Sequence, residues 1–127
     1  MSDLLMPDKS IQLCAVTDSC VWRSQLLLKT PLGAALLYAV RKRNGVFGLP
    51  EVVEMEIRKN IIEAGEDAVA QVADAFKTIK TLLGECLVYD PPNAATFDQA
   101  VDRRLAEMKD FLVRVTFTLD HARAALD

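Results

Sequence analysis

The sequence predicts an α/β fold in which a small parallel sheet is joined to several helices. Residues 11–17 form a short apolar run without helical period, which is typical of a buried strand. A segment rich in helix-forming residues follows, and residues 46–49 are a second short apolar run. A strand, a helix and a strand in this order form a right-handed crossover, which makes the two strands parallel.

The composition is that of an ordinary globular domain. The chain has 127 residues, of which 51% are hydrophobic and 26% are charged, so its length suits one hydrophobic core. Its apolar runs are far shorter than the roughly 20 residues that span a bilayer. The first ten residues lack the apolar segment of a secretion signal. We therefore expect a cytoplasmic protein that does not contact a membrane.

Charge and cysteine content exclude other classes of function. The net charge of −3 disfavours broad, non-specific coating of nucleic acid, which needs a basic surface. Cys14, Cys20 and Cys86 form no Cys-x-x-Cys pair, and His121 is the only histidine. A zinc site is therefore not expected, and the cysteines are interpreted as reduced, mostly buried thiols without a catalytic role.

The first helix has clear signals at both ends. Thr30 is a good N-cap residue, and Pro31 suits the first helical position. The helix finishes in the basic residues 41–43, which the helix dipole favours, and we interpret these cations as solvated. Asn44 and Gly45 end it.

Further helices are predicted after residue 50. Pro50 opens a second helix that Gly65 ends, and a third helix runs over residues 66–83 with Gly84 after it. Residues 86–89 are a further short apolar run, which could form a strand. The apolar face of the third helix consists of Val69, Val72, Ala73, Phe76, Ile79 and Leu83.

The last segment predicts one long amphipathic helix. Thr96 and Gln99 match a capping box. Apolar residues then recur in alternating steps of three and four, without a stop signal before residue 127. This stripe consists of Val101, Leu105, Met108, Leu112, Val115, Leu119, Ala122 and Leu126.

These elements predict one domain after a flexible N-terminus at residues 1–10. The domain covers residues 11–127, with a β-α-β-α core at 11–65 and additional helices at 66–127. Two or three strands are few for a parallel sheet, which needs both faces covered. We therefore expect that some strands are missing from this chain or come from another copy.

Asp18 is the first candidate functional residue. It follows the first predicted strand at its carboxyl end, where open α/β sheets bind ligands. A carboxylate there suits a divalent metal ion, because hard cations prefer oxygen ligands. The ordinary alternative is that Asp18 and Ser19 form a turn or cap a following helix, which is the commoner role of such an aspartate.

Glu56 is the second candidate. It belongs to the run LPEVVEMEI at the start of the second helix. On a helical wheel Glu56 lies between Val52 and Val53, at the flank of the apolar stripe, where it can face a cleft at the sheet edge. Glu51 and Glu54 point further from the stripe and are expected to be solvated. The alternative is an ordinary boundary glutamate, paired along the helix.

The two motifs together resemble the opening half of a PIN domain. In that family an Asp-Thr/Ser-x element follows the first strand, and a Pro-x-x-Val-x-x-Glu helix supplies a second acid; here the corresponding sequences are DSCVW and LPEVVEMEI. The resemblance covers about residues 11–60 and implies a PIN-like three-layer α/β/α fold. It assigns Asp18 and Glu56 as metal ligands and catalytic residues. Ser19 would assist through a hydrogen bond to Asp18 or to a metal-bound water.

The resemblance also implies a function. PIN-like enzymes are endoribonucleases that hydrolyse single-stranded RNA with Mg²⁺ or Mn²⁺ held by three or four carboxylates. Cys20 stands where the family often has asparagine or another small residue, and no motif for the third and fourth acids is present. Asp120 and Asp127 lie on the predicted last helix and are not assigned. The acidic site is therefore expected to be incomplete in this chain.

Three residues near these acids are candidates for RNA binding. Trp22 and Arg23 follow Asp18 closely, so they could stack on a base, and Arg58 could contact a phosphate. The alternatives are core packing for Trp22 and pairing along the helix for Arg58. A different function is also open, namely a non-catalytic interaction module that binds an identical subunit through the predicted helix at residues 96–127.

Overall fold

Three short strands form a parallel sheet at one side of several helices. A computed structural model describes residues 13–84 and 89–116, and the fold is mixed α/β and mostly helical. The middle strand, β2, pairs in parallel with β1 on one side and with β3 on the other, so the order is β1-β2-β3. The bounds are Cys14–Ala15 for β1, Val46–Pro50 for β2 and Leu112–Val115 for β3. The predicted parallel pairing of the first two strands is confirmed.

In the described part of the chain, four α-helices connect and cover the strands. Helix α2 begins as predicted, because the side chain of Thr30 accepts a hydrogen bond from the backbone N–H of Gly33 and Pro31 occupies the first position. Within residues 13–84 and 89–116, no helix is both long and apolar enough to cross a membrane. The helices are α1 (Ser19–Ser24), α2 (Pro31–Lys42), α3 (Glu51–Leu83) and α4 (Ala94–Glu107).

Helix α3 is one continuous helix, so the predicted break at Gly65 is wrong. A Cβ atom built on Gly65 would lie 2.6 Å from the ring of Phe97 on α4. Gly65 therefore permits α4 to pack closely against α3 and does not end the helix. The predicted end at Gly84 is confirmed, because this residue is the C-cap and has a φ of 77°.

The single long helix predicted from residue 96 onwards is also wrong. Helix α4 is capped by Asn93, whose side chain accepts from the backbone N–H of Thr96, and it ends at Glu107. A 3-10 turn at Lys109–Phe111 leads into β3. Pairing of this segment with the open edge of β2 outweighs the helical spacing of its apolar residues. The predicted helix beyond residue 116 and most of the predicted strand at 86–89 lie outside the described residues.

The core lies between the sheet and the helices. Val101 and Leu105 of α4 and Met108, the residue that follows this helix, are buried in it. These three residues of the apolar stripe predicted for the last helix therefore pack inside the chain's own core. The other buried hydrophobic residues are Trp22, Leu27, Leu28, Leu37, Val40, Phe47, Leu49, Ile57 and Ile61.

The second half of α3 contributes little to this core. Ile57 and Ile61 are the buried residues of the helix, whereas Val72, Ile79 and Leu82 are exposed. The ring of Phe76 lies 5.4 Å from that of Tyr89. The apolar face predicted for residues 66–83 is thus only partly covered by the described part of the chain.

The loop between α1 and α2 contains an unusual left-handed turn. Leu26, Leu27 and Leu28 have φ values of 48°, 60° and 61°. This conformation costs a non-glycine residue roughly 1–2 kcal/mol. Burial of Leu27 and Leu28 offsets the cost, and the guanidinium of Arg104 donates to both of their carbonyl oxygens, at 2.8 and 3.0 Å. Arg104 therefore connects α4 to the first quarter of the chain.

Candidate functional site

The carboxyl edge of the sheet brings the starts of two helices side by side. Ala15 of β1 pairs with Phe47 of β2. Three residues further along in each segment, Asp18 and Pro50 each immediately precede a helix, α1 and α3 respectively. This is the edge at which α/β sheets bind ligands.

Asp18 caps helix α1. Its Oδ1 atom accepts hydrogen bonds from the hydroxyl of Ser19 and from the backbone N–H of Cys20, both at 3.2 Å. The predicted bond between Ser19 and Asp18 is confirmed, and so is the alternative in which Asp18 caps a helix. Both bonds use the same oxygen, and Asp18 is exposed. Capping is therefore compatible with a second ligand on this carboxylate.

Glu56 lies on the side of α3 that faces α1. It is exposed, and it precedes Glu63 by seven residues, which is about two helical turns, so the two share a flank. Glu63 accepts a hydrogen bond from Arg23 of α1 at 2.7 Å. Glu56 is therefore on the same flank but nearer to the carboxyl edge, where α1 begins at Asp18. That Glu56 faces a cleft, as the helical wheel suggests, stays a prediction.

Glu54 is not solvated as the wheel suggests. Its side chain is only 21% exposed and contacts two guanidinium groups, those of Arg58 at 3.0 Å and Arg114 at 3.3 Å. Arg114 belongs to β3, a strand that the helical spacing of residues 101–126 does not predict, so the sequence pattern gives no sign of this neighbour. The i,i+4 spacing of Glu54 and Arg58 is the one sequence signal for part of this cluster.

Arg58 connects α3 to α4. Besides Glu54 it pairs with Asp98 at 3.0 Å and with Asp102 at 2.5 Å. Burial by itself lowers the pKa of Arg58, but hydrogen bonds to these three carboxylates outweigh burial and raise the pKa above its ordinary value. Arg58 lies about 200° around the helix from Glu56. The structure therefore does not bring these two predicted site residues together. The guanidinium of Arg58 forms ion pairs with the three carboxylates instead.

Trp22 and Arg23 also have structural partners. Trp22 is 1% exposed and packs edge-on against Phe47, with ring centroids 6.4 Å apart. Its ring has no free face on which a base could stack, so the core-packing alternative describes it. Arg23 forms ion pairs with Glu63 at 2.7 Å and with Asp67 at 3.6 Å. It connects α1 to α3.

The Arg23–Glu63 pair predicts a pH dependence. The hydrogen bond from Arg23, and then its charge, lower the pKa of Glu63. A lowered carboxyl pKa in the folded state contributes stability above the ordinary carboxyl pKa, and this contribution is lost as pH falls through the folded value. We expect Glu63→Gln to reduce the free energy of unfolding at pH 7 and to leave it close to wild type at pH 3. Urea unfolding at both pH values measures this, and an equal loss at pH 3 would contradict it.

The acids at the carboxyl edge are few. Among residues 13–84 and 89–116, no three histidine, cysteine, aspartate or glutamate side chains converge as a metal-binding group. Asp18 and Glu56 supply fewer oxygens than the roughly six that Mg²⁺ takes. Metal binding by Asp18 and Glu56 therefore stays a prediction. Asp120 and Asp127 lie outside the described residues.

The cysteines differ in part from expectation. Cys14 and Cys20 are free thiols, as predicted, but both are exposed, so the expectation of burial is wrong for them. Cys14 lies in a strand of only two residues at the edge of the sheet, which leaves its side chain accessible. Cys86 lies outside the described residues.

Comparison with known proteins adds no relative. No model of a protein family matches this chain, and no curated protein or solved structure matches it either. Any assignment of function therefore depends on the residues and the geometry described above.

Proposed function

We propose that this chain is part of a PIN-like, metal-dependent endoribonuclease that cleaves single-stranded RNA. The observation that carries the proposal is the position of Asp18, which lies three residues after β1 and caps α1, the helix that contacts the flank of α3 on which Glu56 lies. This supports the two acids as ligands of one Mg²⁺ or Mn²⁺ ion. The order of the motifs along the chain, which resembles the PIN family, supports the same assignment.

The chain's own residues would hold and orient the metal. Asp18 is fixed by its bonds to Ser19 and to the backbone of Cys20, so its carboxylate is held at the sheet edge before metal binds. When bound, a divalent ion activates a water molecule and stabilises charge on the phosphate oxygens. Two carboxylates bind Mg²⁺ weakly, because waters must fill the other positions. A further acid, from outside the described residues or from another copy, would complete the site.

Cleavage of a labelled single-stranded RNA in Mn²⁺ or Mg²⁺ tests this proposal. Asp18→Asn removes the charged ligand but keeps an N-cap, since asparagine caps helices as well as aspartate does. We expect this variant and Glu56→Gln to lose at least about 100-fold in cleavage rate, as removal of a group that stabilises the transition state does. Glu66→Gln, an exposed acid on the same helix, is the matched control and should cleave like wild type.

The possible results test the assignment of Asp18 and Glu56 separately from the nuclease activity itself. Cleavage that EDTA abolishes and that both site variants lack would support the proposal. Cleavage that survives in Asp18→Asn would overturn the assignment of the site. If the folded wild type neither cleaves RNA nor binds Mn²⁺ in an Asp18-dependent way, the nuclease proposal fails for this chain.

The alternative of a non-catalytic dimerisation module has less support. It requires the stripe at residues 96–127 to be one helix with a free apolar face. Val101, Leu105 and Met108 are instead buried in the core, and residues 112–115 form β3. Within the described part of the chain, the residues assigned to this seam are therefore largely unavailable to a partner.

A further inference from the structure

We propose that the groove between α2 and α4 binds a phosphate-bearing segment of single-stranded nucleic acid. The groove has a volume of about 600 Å³. This lies within the range of roughly 300–1,000 Å³ that ligand clefts occupy. Both helices end here, just before β2 and β3 begin, so the groove is at the amino-terminal side of the sheet. It is separate from the carboxyl edge that carries Asp18, and it does not depend on the proposed nuclease activity.

The groove is lined by cations from both helices. Arg41 and Lys42 come from α2 and Arg104 from α4, and Glu107 is the one carboxylate among the described residues that line the groove. Glu107 already accepts a hydrogen bond from Arg104 at 3.0 Å. In the parts of the chain that the structure describes, no carboxylate forms an ion pair with Arg41 or Lys42. Two cations are therefore available to an incoming anion.

Aromatic rings stand beside these cations. The guanidinium of Arg41 lies 5.0 Å from the ring centre of Phe111, and the ammonium of Lys42 lies 5.7 Å from that of Tyr38. Tyr38 is 65% exposed. The helix dipole explains basic residues in the last turn of α2, but it does not explain why cations from two helices line one groove together with the rings of Tyr38 and Phe111.

This combination suits nucleic acid better than an acidic peptide. Cations track the phosphate backbone, and an exposed aromatic ring gives a base a surface on which to stack. An acidic peptide would use the charges but would have no need of the Tyr38 ring. A single strand exposes its bases, whereas a duplex does not, so we assign single-stranded nucleic acid.

The test is a fluorescence-anisotropy titration with a labelled oligouridine of about 12 nucleotides, in EDTA so that metal-dependent cleavage makes no contribution. We expect a Kd on the order of 10 μM at physiological salt, within the range of non-specific binding. The double variant Arg41→Ala/Lys42→Ala should weaken binding at least about tenfold. It should also reduce the slope of log Kd against log salt by about 1.4, because each phosphate contact to a single strand contributes roughly 0.7.

Two further variants make the result specific. Tyr38→Leu should weaken binding by about tenfold without changing the salt slope, as expected for loss of one stacked base. Lys77→Ala/Lys80→Ala removes two exposed cations from the end of α3 and should bind like wild type. Circular dichroism checks that each variant is folded.

Three results would overturn the proposal. They are an unchanged Kd in the Arg41/Lys42 variant, an equal loss in the Lys77/Lys80 control, and equally tight binding of an oligoglutamate of the same charge. Because the titration excludes metal, failure of the groove leaves the cleavage proposal untouched. Loss of cleavage in Asp18→Asn likewise says nothing about the groove.

Discussion

Replacing Arg104 with methionine is expected to lower the free energy of unfolding by about 3 kcal/mol. The guanidinium donates two charge-assisted hydrogen bonds to the carbonyl oxygens of Leu27 and Leu28, and each such bond contributes roughly 1.5 kcal/mol or more. Methionine keeps much of the apolar stem, so the loss reports on the bonds. These bonds also hold the left-handed turn of leucines in place, so in the variant only burial of Leu27 and Leu28 offsets the strain of that turn.

Urea unfolding followed by circular dichroism measures this loss. Arg103→Met is the matched control, because Arg103 is the neighbouring arginine on α4 and is exposed. It should change the stability by less than about 0.5 kcal/mol. Equal effects at positions 103 and 104 would show that the carbonyl contacts of Arg104 do not stabilise the fold.

Replacing Gly33 with alanine is expected to destabilise the protein by about 2–3 kcal/mol, although alanine is the better helix former. A Cβ atom at position 33 would lie 2.5 Å from the Cα and 2.6 Å from the carbonyl carbon of Leu28. These are backbone atoms of a buried residue, so they cannot move aside as a side chain would. Helix α2 would have to shift away from the turn.

Thermal and urea unfolding test this prediction together. Leu32→Ala in the same helical turn is the control, since Leu32 is exposed and its removal opens no cavity. We expect the control to stay within about 0.5 kcal/mol of wild type. A Gly33→Ala protein as stable as wild type would mean that the turn and α2 do not approach this closely in solution.

Features with local causes were predictable from the sequence. Thr30 and Pro31 mark the start of α2 through chemistry that needs no distant partner, and the apolar run at β2 lies where the structure has a strand. The position of Asp18 after the first strand follows from chain order alone, although β1 ends at Ala15 and not at the predicted residue 17.

Features with distant causes were not predictable in this way. Residues 112–115 have helical spacing, yet they form a strand because the edge of β2 offers backbone partners. Gly65 has the chemistry of a helix end, but its neighbour in space is Phe97. The ion pair of Glu54 with Arg114 was not predictable for the same reason, because Arg114 lies on this unpredicted strand.

The position of β3 in the chain has a consequence for biosynthesis. Leu112 pairs with Phe47, roughly 65 residues earlier, so the central strand keeps one open edge until nearly all of the described chain has left the ribosome. An unpaired strand edge is a template for pairing with other chains. The turn at Leu26–Leu28 likewise gains its hydrogen bonds from Arg104 only after a similar length of chain has been synthesised. A nascent chain that stalls before residue 104 therefore lacks both contacts, and we expect it to depend on chaperones.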